Sequence, residues 1–242
     1  FAAFGVNVLA NVRPIGDLTL GEISNQLFAE VLITPARYAF AIWGVIYLGL
    51  FSFAIYQALP RQRNKLIFQD MSYWLVAASV AQIIWVFIFQ FRFFVASFVV
   101  MLLILLPLIR LYLKVNLPEK KLSRREQWFI QIPVSIYLGW ISVATVVNGA
   151  VALTDLGWMG GGISPTIWTV IMMGIAGAIA LWVHYWNQDI VFAAVFVWAL
   201  SAIAVRHQDQ LPIFGAGVIL SIILASRMLW SLRRANPSKP LS

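Results

Sequence analysis

The sequence predicts an all-α, polytopic transmembrane helix bundle of about eight spans. Two observations support this prediction. First, 62% of the 242 residues are hydrophobic and only 11% are charged, whereas soluble domains average about 25% charged residues. Second, the apolar residues form runs long enough to cross a bilayer, which takes roughly 20 residues. The chain cannot cover a water-facing surface, and we expect it to lie in the lipid bilayer.

Seven apolar runs have the length of a full span, near 36–58, 73–91, 93–114, 128–153, 165–186, 189–206 and 212–232. An eighth run, FAAFGVNVLANV (1–12), is too short to cross alone. It lacks a basic start and a small-residue cleavage site, so it is not typical of an intact signal peptide. We expect the sequence to begin inside a first helix. Pro165 lies in the opening turn of a span, where a missing N–H is tolerated, whereas Pro133 falls inside one.

The loop charges predict the orientation of this bundle. If the loops 2–3, 4–5 and 6–7 and the C-terminal tail share one side, that side holds 13 cations: Arg61, Arg63, Lys65, Arg110, Lys114, Lys120, Lys121, Arg124, Arg125, Arg227, Arg233, Arg234 and Lys239. The other side holds Arg13, Arg37, Arg92 and Arg206. Basic short loops stay inside, so we expect both termini to be cytoplasmic or stromal, in a plasma or thylakoid-type membrane.

The inventory of reactive side chains is small. The chain has no cysteine, two histidines and nine acids, so we expect no enzyme activity, no catalytic residue and no metal site. The net charge of +8 and the pI near 10.1 are the topology signal of a membrane protein, and we expect no nucleic-acid partner. The basic stretch PEKKLSRREQ (118–127) is read mainly as part of that signal, with a lipid-binding patch as the alternative.

The longest connection, about 13–34, joins the first two helices. It contains the amphipathic stretch GEISNQLFAEVLI, which can either lie across the helix ends as a lid or serve as an interfacial spacer. The sequence leaves these two alternatives open.

Aromatic and polar residues inside the spans mark a candidate ligand site. Several of the eleven tryptophans lie in the middle of spans rather than at their ends, where an aromatic belt would explain them. Indoles from several helices can wall a pocket for a flat apolar ligand, and helix packing is the alternative. Embedded amides should face protein, because an unsatisfied amide in hydrocarbon is costly. The candidate ligand-binding residues are Trp43, Tyr47, Gln82, Trp85, Tyr137, Trp140, Thr145 and Asn148.

Three stretches carry a resemblance to a known family. TPARYAFAIWGVIYLG is similar to the second-helix opening of the TspO/MBR family, the translocator or tryptophan-rich sensory proteins, with Pro35, Trp43 and Tyr47 at matching positions. QIIWVFIF resembles the third-helix motif, with glutamine in place of asparagine. GWISVATVVN is similar to the fifth-helix motif at Trp140, Ala144, Thr145 and Asn148.

The resemblance covers about residues 1–158 and implies a five-helix domain there, followed by a three-helix C-terminal membrane extension with a basic tail at 159–242. It also implies an aromatic pocket under loop 1–2 that binds a tetrapyrrole, such as protoporphyrin, haem or a chlorin, or a sterol-like molecule. The protein would then act as a carrier, scavenger or sensor, and no cofactor beyond this ligand is expected.

Three alternatives stay open. Helices 6–8 carry small residues suited to close contact, so the chain could be a structural or assembly subunit of a larger, photosynthetic membrane complex, or a homodimer. A secondary transporter is disfavoured because the span interiors hold essentially no charged relay. His184 and His207 lie at helix ends and are read as solvated or capping residues, with ligation of a pigment by either one, or by Asn148 or Gln82, as the alternative.

Overall fold

The computed structural model describes residues 1–60, 62, 66–116 and 122–235, and within these ranges every regular element is a helix. The eight main helices are α1 Ala2–Val12, α2 Ile42–Ala58, α3 Leu66–Gln90, α4 Phe94–Val115, α5 Ile132–Asp155, α6 Pro165–Asn187, α7 Ile190–Arg206 and α8 Leu211–Ala235. Short helical turns occupy Leu20–Glu22, Ile23–Leu27, Arg37–Ala41, Arg124–Glu126, Gln127–Gln131 and Gly160–Gly162.

Six helical stretches of the described chain are long and apolar enough to cross a membrane: Arg37–Ala58, Met71–Gln90, Phe94–Val115, Arg124–Asp155, Pro165–Asn187 and Leu211–Arg234. These confirm the predicted polytopic helix bundle. Helix α7, predicted as a full span, has 17 residues, or about 25 Å at about 1.5 Å per residue. That length is a few ångströms short of the bilayer core. Helix α1 is the partial helix expected from the sequence.

Helix α5 is the centre of the bundle. It packs against α2, α4 and α7, while α3 packs between α1 and α4. The last three helices form their own group, in which α7 contacts both α6 and α8. Helix α7 therefore joins this C-terminal group to the rest of the chain through α5.

The helix boundaries follow from local sequence signals. Ser164 caps α6 by accepting a hydrogen bond from the N–H of Ile167, and Pro165 occupies the first position of that helix. Asp189 caps α7 in the same way through the N–H of Phe192. Gly157 has a φ of 75°, a left-handed conformation that ends α5 and that glycine adopts without strain. Pro133, expected inside a span, lies in the first turn of α5, just after the wider π-helical turn Gln127–Gln131.

Close packing uses two of the small residues in the C-terminal group. A Cβ added to Gly217 would lie 2.9 Å from the Cβ of Ala204, and one on Gly177 would lie 3.2 Å from Leu220. Both glycines therefore serve contacts inside the chain. Gly174 and Gly215 have nothing within 4 Å of such a Cβ. Of the cations that predicted the orientation, Arg61, Arg63, Lys65, Lys120, Lys121 and Lys239 lie outside the described residues.

Candidate functional site

An aromatic cavity lies between α2, α3, α4 and α5, beneath the loop that joins α1 and α2. In this conformation its volume lies well below the range of about 300–1,000 Å³ that ligand pockets occupy. The lining residues are Leu20, Ser24, Pro35, Phe40, Trp43, Trp85, Phe89, Met101, Trp140, Val143, Ala144, Val147, Asn148 and Val151. The walls are thus three indoles, two phenyl rings and aliphatic side chains.

The cavity is narrow in this conformation. Its volume of about 40 Å³ is room for about three water molecules. The ring faces close on the space: Phe40 and Trp140 meet edge to face at 5.9 Å, and Trp85 stacks on Phe89 at 5.0 Å. A flat molecule larger than a few waters can enter only if these side chains or the covering loop move.

Four of the eight predicted site residues line this cavity: Trp43, Trp85, Trp140 and Asn148. They come from three helices and are at most 8% exposed. Trp140, Ala144 and Asn148 succeed one another at intervals of four along α5, so the helix presents all three on one face. The sequence spacing therefore predicted correctly that these three α5 residues share a face, and that face forms one wall of the cavity.

Three further predicted site residues, Tyr47, Gln82 and Tyr137, are not among the residues that line the cavity. They form a buried hydrogen-bonded chain in which the hydroxyl of Tyr137 donates to Oε1 of Gln82, and Nε2 of Gln82 donates to the hydroxyl of Tyr47 at 3.1 Å. That hydroxyl donates to the carbonyl of Ala3 at 3.2 Å. These side chains satisfy one another and tie α1, α2, α3 and α5 together, as polar groups in membrane bundles commonly do.

Thr145 also lies outside the cavity lining. Its hydroxyl donates to the carbonyl of Ile141 one turn earlier, at 2.7 Å. A threonine can satisfy its hydroxyl within its own helix in this way, so its position inside a span requires no ligand.

Two polar groups in the cavity wall have unused hydrogen-bonding capacity. The indole N–H of Trp85 is buried, and no acceptor for it lies in the described part of the chain. Asn148 accepts a hydrogen bond at Oδ1 from the hydroxyl of Ser97 at 3.1 Å, and no hydrogen bond joins its Nδ2 to the residues described. A buried unsatisfied donor such as the Trp85 N–H is costly, whereas Nδ2 of Asn148 is a donor that forms no hydrogen bond within the described chain.

The connection between α1 and α2 covers the cavity, which decides between the lid and the spacer; residues 13–34 are called the lid below. Leu20 and Ser24 of the lid line the cavity, and Phe28 packs edge to face on Phe94 of α4 at 4.6 Å. The turn at Leu20 is held by a capping box, in which Thr19 and Glu22 exchange hydrogen bonds. The backbone N–H and the hydroxyl of Thr19, and to a smaller extent the Arg37 guanidinium, lower the pKa of Glu22.

Helix α7 fastens the end of the lid and the start of the second span. Nη1 of Arg206 donates to the carbonyl of Thr34 at 2.9 Å, and the N–H of Ala36 donates to the carbonyl of Ala202 at 3.2 Å. The indole N–H of Trp198 donates to the carbonyl of Ala39 at 3.1 Å. The C-terminal helices therefore take part in the architecture above the cavity, a relationship that sequence reasoning missed because nothing in the local pattern signals it.

Sequence reasoning also missed the buried carboxylate of Asp189, at the opposite end of the bundle. Its Oδ2 accepts hydrogen bonds from Tyr112 at 2.9 Å and from Ser135 at 2.6 Å, and its Oδ1 accepts from the N–H of Phe192 at 2.9 Å. These bonds join α4, α5 and α7. The signal that could have identified it was an acid at the start of an apolar helix, a typical N-cap position.

The two histidines are buried rather than solvated, and neither borders the cavity. His184 is 2% exposed, and its Nδ1 lies 3.3 Å from the carbonyl of Asp189. His207 is 7% exposed and lies at the end of α7, next to Arg206. Burial and the neighbouring guanidinium lower the pKa of His207, while hydrogen bonding to the backbone of Leu32 acts in the opposite sense. In the described part of the chain, no three His, Asp or Glu side chains converge on a metal-sized site.

The comparisons with known proteins agree with this architecture. Residues 1–230 match the family described as TSPO-like protein. The match includes α6, α7 and nearly all of α8, which lie beyond the stretch of about 1–158 that carries the motif resemblance. Neither a comparison with curated proteins nor one with solved structures gives a match. Because the match covers nearly the whole chain, this membrane protein belongs to the TSPO-like family.

Proposed function

We propose that this chain binds a flat apolar ligand of the tetrapyrrole class in the cavity under the lid and acts as a carrier, scavenger or sensor for it. The observation that supports this most is the combination of three indole walls with two polar groups: the Trp85 N–H, which has no acceptor in the described chain, and the amide of Asn148, which is bonded there only at Oδ1. Aromatic faces suit a planar ring, and a few polar groups orient it. Sterol-like molecules are a second ligand class for the same apolar walls.

The proposal requires the cavity to widen. A tetrapyrrole does not fit into space that admits about three waters, so binding must displace the lid or rotate the rings. The lid is suited to this because it is a loop whose own turn is stabilised locally by Thr19 and Glu22. Binding then has the character of a population shift from a closed to an open form.

Because no histidine borders the cavity in the described chain, a metallated tetrapyrrole bound here would not be held by a histidine ligand. The amide of Asn148 is the candidate to contact the metal or a ring substituent. Metal-free protoporphyrin therefore serves as the first probe, since its binding depends on the walls alone. Affinity would come mainly from apolar burial, at about 25 cal/mol per Å².

A titration of the purified protein with protoporphyrin tests the proposal. Energy transfer from the indoles in the cavity wall should quench tryptophan fluorescence saturably, with about one porphyrin per chain. Quenching that rises linearly, as it would for porphyrin dissolved in detergent micelles, would exclude this function. Trp186, which is 69% exposed on α6, provides the control: Trp186→Phe should leave the binding curve unchanged.

A second candidate function is that of an assembly subunit in a larger membrane complex. The open positions beside Gly174 and Gly215 favour it, since small residues without neighbours allow a close approach of a partner helix. Copurification of stoichiometric partners in mild detergent would support this role, and a monodisperse single chain would exclude it.

For the orientation, we propose that both termini are cytoplasmic or stromal, on the basis of the loop charges.

A further inference from the structure

A second concave surface, separate from the cavity under the lid, lies on the outer face of the bundle between α2 and α5. Its volume is about 590 Å³, far larger than that of the closed cavity. We call this surface the outer groove. Its floor includes Val45, Leu48 and Ser52 from α2 and Ile132 and Ile136 from α5.

The shape of the outer groove follows from how α2 and α5 meet. A Cβ on Gly49 would lie 3.1 Å from the Cβ of Pro133, so the two helices touch there and close the groove at its back. Tyr56 and Phe129 stack at 5.2 Å nearer the end of α2 and continue this seam. The floor in front of the seam is apolar and accessible, with Leu48 69% exposed.

One end of the groove is cationic. Arg124 and Arg125 line it where α5 reaches the membrane boundary, and Trp128, which is 67% exposed, lies beside them. The single ion pair among the described residues joins Arg37 to Glu22, so neither Arg124 nor Arg125 forms an ion pair with a described acid. Both arginines begin a continuous helix over 124–155, where the helix dipole disfavours cations. A topology signal requires positive charge in the loop, but it does not require that charge above an open groove.

We propose that the outer groove binds one anionic phospholipid of the adjoining leaflet. Its phosphate would pair with Arg124 and Arg125, Trp128 would lie at headgroup depth, and an acyl chain would run along Leu48 and Ile136. Basic pockets between transmembrane helices recognise anionic headgroups in this way. A second copy of the chain fits less well: among the acids of the described chain, Asp70, Glu126 and Asp189 lie at this end of the bundle, and Glu126 and Asp189 already accept hydrogen bonds from their own chain.

Native mass spectrometry of the full chain, released from micelles that contain equal phosphatidylglycerol and phosphatidylcholine, tests the proposal. The wild type should retain one phosphatidylglycerol in preference to phosphatidylcholine. Arg124→Gln with Arg125→Gln should reduce that preference about thirtyfold, the size expected for losing two charges near a headgroup. The matched control, Arg233→Gln with Arg234→Gln, removes two exposed arginines outside the groove and should retain the lipid.

A second pair of variants tests the acyl-chain contact without changing charge. Ser52→Phe fills the groove and should weaken retention severalfold, whereas Ile55→Phe, on the exposed face of the same helix, should not. Unchanged melting temperatures show that the variants fold.

Four results would overturn the proposal. The first is no preference for the anionic lipid, and the second is equal loss in both arginine pairs, which would indicate diffuse attraction. The third is release of the lipid by free glycerol phosphate, which would indicate a site for phosphate alone. Cross-linking through Leu48→Cys in this otherwise cysteine-free chain would reveal a second copy in the groove and would also contradict it.

Discussion

Arg206 and Thr34 are 172 positions apart in the sequence, yet the guanidinium of Arg206 donates a 2.9 Å hydrogen bond to the Thr34 carbonyl. This bond joins the end of α7 to the end of the lid, directly above the aromatic cavity. It gives the C-terminal helices a role in the closed state of the cavity, since α7 also holds Ala36 and Ala39 through hydrogen bonds.

Loss of this bond should loosen the lid. In Arg206→Gln, we expect amide exchange at Ala36, which is bonded to Ala202, to become about tenfold faster, because hydrogen bonds to charged groups contribute about 1.5–3 kcal/mol. Hydrogen–deuterium exchange with mass spectrometry measures this. Arg13→Gln removes a cation next to the lid but no α7 bond, and it should exchange like the wild type. Equal exchange in the two variants would show that Arg206 does not fasten the lid.

Acid should destabilise the protein through His207. Its pKa is lowered from 6.5 in the folded state, so between pH 6.5 and that lower value the unfolded chain binds a proton and the native chain does not. Stability is therefore present above pH 6.5 and is lost as the pH falls. The melting temperature should drop between pH 7.5 and 5.5, and His207→Gln should drop less. If the melting temperature of His207→Gln falls with pH as much as that of the wild type, the loss of stability comes from groups other than His207.

Trp85→Phe should separate stability from binding. The substitution keeps an aromatic ring in the cavity wall and removes an indole N–H that has no acceptor in the described chain. Because an unsatisfied buried donor costs about 1–3 kcal/mol, its loss should offset the smaller ring, and the melting temperature should stay within a few degrees. Porphyrin affinity should fall severalfold if this N–H orients the ligand. An unchanged affinity would mean that the N–H does not contact it.

Gln82→Leu should lower the stability of the protein and leave its porphyrin affinity unchanged, the reverse of what we expect for Trp85→Phe. The amide of Gln82 links Tyr47 to Tyr137, and its removal leaves two buried hydroxyls with one partner fewer each. We expect the protein to lose about 1–3 kcal/mol of stability, with porphyrin affinity per folded molecule unchanged. Thermal unfolding and the quenching titration measure the two quantities. A variant that keeps its stability but loses affinity would return Gln82 to the ligand site.

The comparison of sequence and structure shows which inferences periodicity allows. The apolar runs predicted the helices, and the interval of four placed Trp140, Ala144 and Asn148 on one face. Periodicity does not tell which neighbour a face meets, so it does not reveal that Tyr47, Gln82 and Tyr137 bond to one another outside the cavity lining. Contacts between distant parts of the chain, such as Arg206 with Thr34, have no local signal. Asp189 was overlooked because it lies in a short polar junction between two apolar helices.

If the space bounded by Trp43, Trp85 and Trp140 receives the ligand, a bulky side chain placed in that space should block binding. Ala144 lines the cavity on α5, whereas Ala150 is a half-buried alanine of the same helix outside the lining. Quenching titrations with protoporphyrin on Ala144→Phe and Ala150→Phe form a matched pair, with melting temperatures to show that both fold. We expect Ala144→Phe to lose at least about tenfold in protoporphyrin affinity, equivalent to about 1.4 kcal/mol, and Ala150→Phe to bind like the wild type. Saturable, wild-type binding by a folded Ala144→Phe protein would contradict it.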